Sequence, residues 1–381
     1  MDKSAKWVLS IVVLLLIVVG LFVAFSPSPE GKETRPIKLG AIMPLSGDAA
    51  AYGIPIQQAT DLAIKEINAA GGVDGRMIKV VYENGACAGK EATSAAQKLI
   101  NVDKIKVILG GLCSGETLGA APVAEENKVI LFSPGSGSPD ITKSGDYIFR
   151  NFPSDATSGG KVAQAAIDNG HKKVAIIAEQ TEYAQAVKEV FKTTFEAAGG
   201  EILTDESYAS DSSDFRTQLT KMKATNPDGL YVLSQTPAKY GLVLKQISEL
   251  GMNQQIYSNE FSAAEDILKD YKEEIEGAIY AEPSFDDKAP KAKELLDKIL
   301  AEHGELSGAL PPVYFATAYD AVYLLKDALV ECGEDTDCIK KFLYGVTDRA
   351  GTAGMLTIDE NGDASFSYVL RTIKDGKAMD V

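Results

Sequence analysis

The chain reads as an α/β protein of two lobes, each a parallel sheet flanked by helices, and three observations lead there. From Ile37 onward, short apolar β-rich runs alternate with longer helical patterns, the order that builds parallel sheets covered on both faces. The alternation runs through two comparable halves, with a break near Phe152-Pro153-Ser154. The strand candidates are also too many for one compact sheet.

In the first half, strands are predicted at Ile37–Met43, Met77–Tyr82, Lys106–Leu109 and Val129–Phe132. In the second half they fall at Lys173–Ala178, Glu201–Leu203, Gly229–Leu233, Gln255–Ser258 and Ala278–Ala281. Each is a short apolar or β-branched run bounded by turn formers. Between them, Ala- and Lys/Glu-rich segments predict helices at Gly53–Ala70, Lys90–Val102, Ser114–Glu126, Thr157–Asn169, Tyr183–Ala198, Phe215–Ala224, Ala238–Leu250, Lys288–His303 and Tyr314–Val330. After Gly354 the pattern changes. Met355–Ile358 and Ser365–Thr372 flank Asp359-Glu360-Asn361-Gly362-Asp363, and Asn-Gly between two β runs predicts a hairpin. The acids there do not make a calcium loop, because the glycine comes too early and no glutamate closes the spacing.

With 381 residues and 45% apolar content, the chain is long enough for two domains. A net charge of −16 argues against nucleic acid and anionic membrane surfaces as partners. Only two histidines, His171 and His303, are present, so no metal site and no cofactor is expected. At the N-terminus, Lys3 and Lys6 precede Trp7–Phe25, which is apolar apart from Ser10 and Gly20. As a helix this run reaches about 28 Å, close to the thickness of a bilayer core, and the lysines place residues 1–6 in the cytoplasm. Residues 7–25 are therefore read as a single-pass signal anchor, with a cleaved signal peptide as the rival reading, 26–36 as a proline-containing linker, and the body as extracellular or periplasmic. There disulfides are permitted. Cys332 and Cys338 could close a small surface loop, and Cys87 and Cys113 are the other natural pair; the positions alone leave the connectivity open.

The most informative stretch is Gly110-Gly111-Leu112-Cys113-Ser114-Gly115-Glu116. It follows a strand and opens a helix, so free N–H groups and the positive end of the dipole face a crevice suited to a carboxylate. The same stretch resembles a nucleophile elbow with cysteine at its centre. A cysteine hydrolase would need a histidine base, and both histidines sit at element ends, so no enzyme is expected. Ser133-Pro134-Gly135-Ser136-Gly137-Ser138-Pro139-Asp140 offers amides and hydroxyls in a tight turn but lacks a dinucleotide fingerprint. Glu260 ends a strand where a crevice would open and could pair with an ammonium group. Tyr52 and Tyr183 stand at helix starts.

These residues, together with Ile37–Gly47, Tyr52-Gly53 and Ile67–Val73, resemble the leucine/isoleucine/valine-binding proteins, the solute-binding subunits of branched-chain amino acid ABC transporters. The resemblance runs from Ile37 to the end. It implies the type I periplasmic binding fold: two Rossmann-like lobes joined by three crossovers, with 37–154 plus 283–355 in one lobe and 155–282 plus 356–381 in the other. It puts the family's disulfide on Cys87–Cys113, its carboxylate-binding serine on Ser114 and its second loop on Gly135, Ser136, Gly137 and Ser138. Its ammonium-binding glutamate falls on Glu260, helped by Tyr183, and its side-chain pocket falls near Tyr52, Leu112 and Tyr314. Gly137 stands where the family has a threonine, and Gln235-Thr236 where it has a tyrosine. The implied function is a receptor that hands an amino acid to ABC permease subunits. A sensor ectodomain for amino acids, amides or urea-like ligands is the alternative, and a cysteine hydrolase is less favoured.

Overall fold

A computed structural model describes residues 35–47, 49–304, 306 and 310–381. The expected anchor at 7–25, the cytoplasmic stretch 1–6 and the linker up to Thr34 lie outside the described residues. Among the described residues, no helix is long and apolar enough to cross a membrane.

The first sheet is all parallel, in the order β2-β1-β3-β4-β5. Its strands are β1 (Ile37–Met43), β2 (Ile78–Asn84), β3 (Val107–Gly110), β4 (Ile130–Ser133) and β5 (Ile148–Arg150). Helices α1 (Ala50–Ala69), α2 (Gly89–Asn101) and α3 (Ser114–Glu126) connect them. Strand residues alternate between two buried faces: Leu39, Ala41 and Met43 pack to one side, Ile42 to the other with Ile108 and Leu131. Burial on both sides is what produces near-continuous apolar strands.

The second sheet runs β14-β13-β10-β9-β8-β6-β7. Its parallel strands are β6 (Lys173–Glu179), β7 (Glu201–Tyr208), β8 (Gly229–Leu233), β9 (Gln255–Asn259) and β10 (Ile279–Pro283), with α4 (Ala156–Asp168), α5 (Glu182–Ala197), α6 (Arg216–Ala224), α7 (Pro237–Glu249) and α8 (Glu265–Asp270) around them. The chain then returns to the first sheet as α9 (Pro290–His303), α10 (Val313–Cys332) and α11 (Thr336–Tyr344), with α10 packed along α1. The short pair β11 (Arg349–Ala350) and β12 (Met355–Leu356) leads back to β13 (Tyr368–Lys374) and β14 (Lys377–Asp380) in the second sheet. The backbone thus passes between the sheets three times: after β5, after β10 and before β13. This is the two-lobed α/β fold that the strand–helix alternation predicts.

The expected hairpin turn at Asn361-Gly362 closes, but its arms do not extend into a longer ladder. One antiparallel bridge, Ile358 to Ala364, joins them, with the Asp359 amide donating to the Asp363 carbonyl and the Ser365 amide to the Thr357 carbonyl, both at 2.9 Å; Asp359 Oδ1 also accepts the amides of Asn361 and Asp363, both at 2.9 Å, an Asx turn that reinforces the bend. A second hairpin lies further on. Lys374 pairs with Lys377 around Asp375-Gly376, whose φ angles are 54° and 70°, the left-handed pair of a type I′ turn. Strand β5 and helix α8 were too short to give a periodic signal, and helix α11 was not predicted.

Candidate functional site

Strands of both sheets end at one cleft. On the first side, β3 ends at Gly110, whose φ is +123° and whose absent Cβ would meet the Ile42 carbonyl oxygen at 2.2 Å. Only glycine allows the chain to turn so close to β1. The Gly111 carbonyl beyond it accepts three hydroxyls, from Ser133 at 2.6 Å, Ser136 at 3.0 Å and Thr117 at 3.1 Å. Glu116, in the first turn of α3, reaches back to the amides of Leu112 (3.0 Å), Cys113 (3.1 Å) and Cys87 (3.0 Å). Its carboxyl is nevertheless pushed up to about 7, because burial outweighs the three donors. Cys113 is bonded to Cys87, and Cys332 to Cys338. A disulfide-bonded Cys113 has no thiolate to attack with, which removes the elbow reading.

The second loop docks onto the first. Ser114 Oγ accepts the Ser138 amide at 3.1 Å, while the Ser138 hydroxyl accepts from Asp140 and caps the short 3-10 turn Pro139–Lys143. Ser136 spends its hydroxyl on Gly111, Leu112 and Thr117. Beneath, fully buried Arg150 binds Asp363 through two nitrogens at 2.7 and 2.8 Å and donates to the Ser136 and Ser138 carbonyls. The two serine hydroxyls therefore hold the loop together instead of opening to the cleft.

The facing side comes from the second sheet. Thr181 and Thr236 cap α5 and α7, which fixes Tyr183 and Gln235 at the cleft. Glu260 follows β9 directly and is 1% exposed. The Tyr183 hydroxyl accepts from Asn259 at 3.1 Å. Among the contacts that join the sides, the Tyr52 hydroxyl donates to the Gln235 carbonyl at 2.9 Å, the Tyr314 hydroxyl donates to Glu260 Oε1 at 2.9 Å, and the Tyr52 and Phe261 rings stack at 5.8 Å. Glu182, at the start of α5, also sets its carboxylate against Gly115, where a Cβ would lie 2.6 Å from it. An acid at that helix N-terminus is favourable.

The cavity that remains is lined by Tyr52, Leu112, Cys113, Ser114, Gly135, Gly137, Tyr183, Gln235, Phe261, Leu310 and Tyr314. Glu260 lies just behind, bonded to Tyr314. Of the expected site residues, Ser136, Ser138 and Glu260 stand back from the cavity. Phe261 and Leu310, which line the cavity, were missed in the sequence. Burial pushes the Glu260 carboxyl up to about 7, against the pull of its own backbone amide and of Tyr314, and drives Asp155 well above the usual carboxylate range, helped by the charge of Glu260. A larger surface hollow near Lys291, Lys298, Tyr319 and Arg349 has its charges already engaged, Lys298 with Glu66 and Glu294, and Arg349 with Asp327.

A sequence model of the family described as periplasmic binding protein matches residues 36–378. The leucine-, isoleucine-, valine-, threonine- and alanine-binding protein of Pseudomonas aeruginosa is 29% identical over 333 residues, covering 86% of this chain and 87% of its own. Among solved structures, the leucine-binding protein LivK of Thermotoga maritima is 27% identical with a TM-score of 0.81, covering 91% of this chain and 97% of its own. The branched-chain amino acid transporter substrate-binding protein LivJ of Streptococcus pneumoniae, crystallised with isoleucine, is 28% identical with a TM-score of 0.78, covering 90% and 97%. The chain belongs to the periplasmic binding protein family, as its sequence motifs imply, and shares the type I fold of these relatives.

Proposed function

We propose that this member of the family is the solute-binding receptor of an ABC importer and holds an amino acid with an apolar side chain in the cleft between its lobes. The observation that carries the reading is the pairing of opposites across one cavity. The N-terminus of α3, with Ser114, meets a buried acid, Glu260, and Tyr52, Leu112, Phe261, Leu310 and Tyr314 form apolar walls between them. A zwitterion fits that polarity: carboxylate at the helix N-terminus, ammonium at Glu260, side chain among the rings. The related proteins are named for leucine, isoleucine and valine, which agrees in ligand class.

The lobes are assigned as 37–154 plus 283–355 and 155–282 plus 356–381, hinged at the three crossovers. Solute bridging them would favour the closed form by its differential affinity, and permease subunits would read that form. The apolar run Trp7–Phe25 after Lys3 and Lys6 supports a membrane tether with the body outside. A second reading, an amide or urea-like ligand, draws on Gly137 and Gln235 at the cavity wall.

A thermal-shift screen of the full chain against all amino acids plus small amides and ureas tests both. A ligand of the folded state adds about 2.7 kcal/mol at a hundredfold excess over Kd. A shift with apolar amino acids is the expected result. A shift only with amides or ureas would move the assignment to the second reading.

A further inference from the structure

The loop that brings Gly135 and Gly137 to the cavity is gripped from behind through three consecutive carbonyls. Arg150 Nη1 donates to those of Ser136 and Ser138 at 3.1 and 2.9 Å. The Asp155 amide donates to that of Gly137 at 2.8 Å. Gly137 fits there because it has no side chain: a Cβ would lie 1.7 Å from Asp155 Oδ2. Both grips come from the first crossover, with Arg150 at its start and Asp155 at its end.

Arg150 holds the third crossover as well. Its Nε and Nη2 bind Asp363 at 2.7 and 2.8 Å, and Nη2 donates to Thr142 Oγ1 at 3.1 Å, whose hydroxyl donates to the same carboxylate at 2.7 Å. Its backbone amide donates to the Gly362 carbonyl at 3.0 Å. Pro153 and Ala364 then pair directly. Asp359 folds the turn that presents Asp363, so the acidic run 359–363 carries the counter-charge of Arg150.

All five N–H groups of the guanidinium are engaged, and the residue is fully buried. Such a planar, rigid fork tolerates little displacement of its acceptors. The loop carbonyls and Asp363 therefore move together or the fork breaks. A buried ion pair is weak evidence for stability, since apolar residues of the same volume often stabilise more, and fixing one geometry is its better attested use.

We propose that Arg150 is a positioning residue for the solute: it locks the cavity loop to the first and third crossovers, so that contact at Gly135 and Gly137 is transmitted to the hinge. This rests on the reading of the cleft as a solute site between hinged lobes.

Hydrogen exchange followed by mass spectrometry on the full chain tests this, with the wild type, Arg150→Lys and Thr142→Val, each empty and with L-leucine as the probe. Arg150→Lys keeps the charge but offers three donors in place of five. Thr142→Val removes one half-buried hydroxyl, so it decides the matter if the lysine variant does not fold. In empty Thr142→Val, exchange should quicken about two- to tenfold at 134–140 and at 359–364 together. In the wild type, leucine should slow exchange at 112–116 and also at 359–364. The variants should keep the first protection and lose much of the second, which a merely structural role for Arg150 would not produce. Quickening confined to one of the two segments overturns the proposal. So does protection at 359–364 that is absent from the leucine-bound wild type or undiminished in the variants. If leucine protects no segment of the wild type, the solute reading fails for leucine by itself, and the comparison of the empty proteins decides the role of Arg150 alone.

Discussion

The loops that follow β3 and β4 are saturated with their own hydrogen bonds, whereas the residues at the start of α4 and the end of β9 keep oxygens without partners. On the first side, Gly111 accepts three hydroxyls, Glu116 holds three amides, Ser136 and Ser138 tie loop to loop, and a disulfide closes the set. On the second side, Asp155, Asn259 and Glu260 each leave one buried oxygen unmet. The difference separates two tasks. A saturated side is formed before any ligand arrives and loses little entropy on binding. An unsaturated side is under tension until a ligand supplies the missing donors, so affinity and pH dependence concentrate there. Stability should live on one side and recognition on the other.

The largest expected effect breaks the saturated side. Replacing Cys87 and Cys113 together by serine opens a loop with a sequence separation of 26 and should cost about 2–4 kcal/mol of stability. Because Glu116 still holds the three amides, ligand affinity should fall far less than the melting temperature. Calorimetry of unfolding beside calorimetry of binding reads both, and an affinity loss as large as the stability loss would merge the two tasks.

Breaking the other side should do the reverse. Glu260→Ala removes a charge-assisted partner of the ligand, which corresponds to about 1.5–3 kcal/mol of binding. It also removes a buried acid with an unmet oxygen, so the empty protein should melt no lower. Unchanged amino acid affinity would end the role assigned to Glu260.

A pH titration sharpens the contrast. Burial raises Glu260 from 4.5 to about 7. An acid raised by folding contributes stability that is present below its unfolded value and lost as pH rises through its folded value. The empty wild type should therefore lose stability relative to Glu260→Gln between pH 4.5 and about 7. Over the same window its affinity for an ammonium should rise as the carboxylate ionises. Around Glu260, the tyrosines Tyr52, Tyr183, Tyr231, Tyr314 and Tyr368 are all displaced upward by burial, Arg150 stays with Asp363, and Asp155, raised in the same sense as Glu260, keeps some slope in the variant. Parallel trends of stability and affinity would contradict the division.

How much of this was legible in the sequence follows the same line. The saturated side was visible because its parts are local: Val107–Leu109, two glycines and Ser114-Gly115-Glu116 lie in one run, and helix α3 starts where Ser114 suggested. The facing side is assembled from residues far apart in the chain. Glu260 was found through its strand end and through family resemblance. Asp155 was not, because an acid after Pro153 at a helix start looks like a cap, and only the structure reveals its unmet oxygen beside Gly137. The turn at Asn361-Gly362 was legible for the same reason as the saturated side: its signal is local, and the Asp359 and Ser365 amides close it.

The smallest predicted effect concerns the seam between the sides. Tyr52 sits in the first turn of α1, stacks on Phe261 and donates its hydroxyl to the Gln235 carbonyl. Tyr52→Phe keeps the ring, and so the stack, and deletes one neutral hydrogen bond between the two sides of the cleft. Such a bond contributes about 0.5–1.5 kcal/mol, which is about a two- to tenfold loss of affinity. The loss should appear in the dissociation rate, since the bond forms after encounter. The hydroxyl bridges the lobes and supports neither core, so the melting temperature of the empty protein should hold while the ligand's stabilisation shrinks. Stopped-flow binding together with melting curves at several ligand concentrations separates the two. A lower melting temperature without ligand would mean that the sides are already joined in the empty protein, and that the seam belongs to the saturated half.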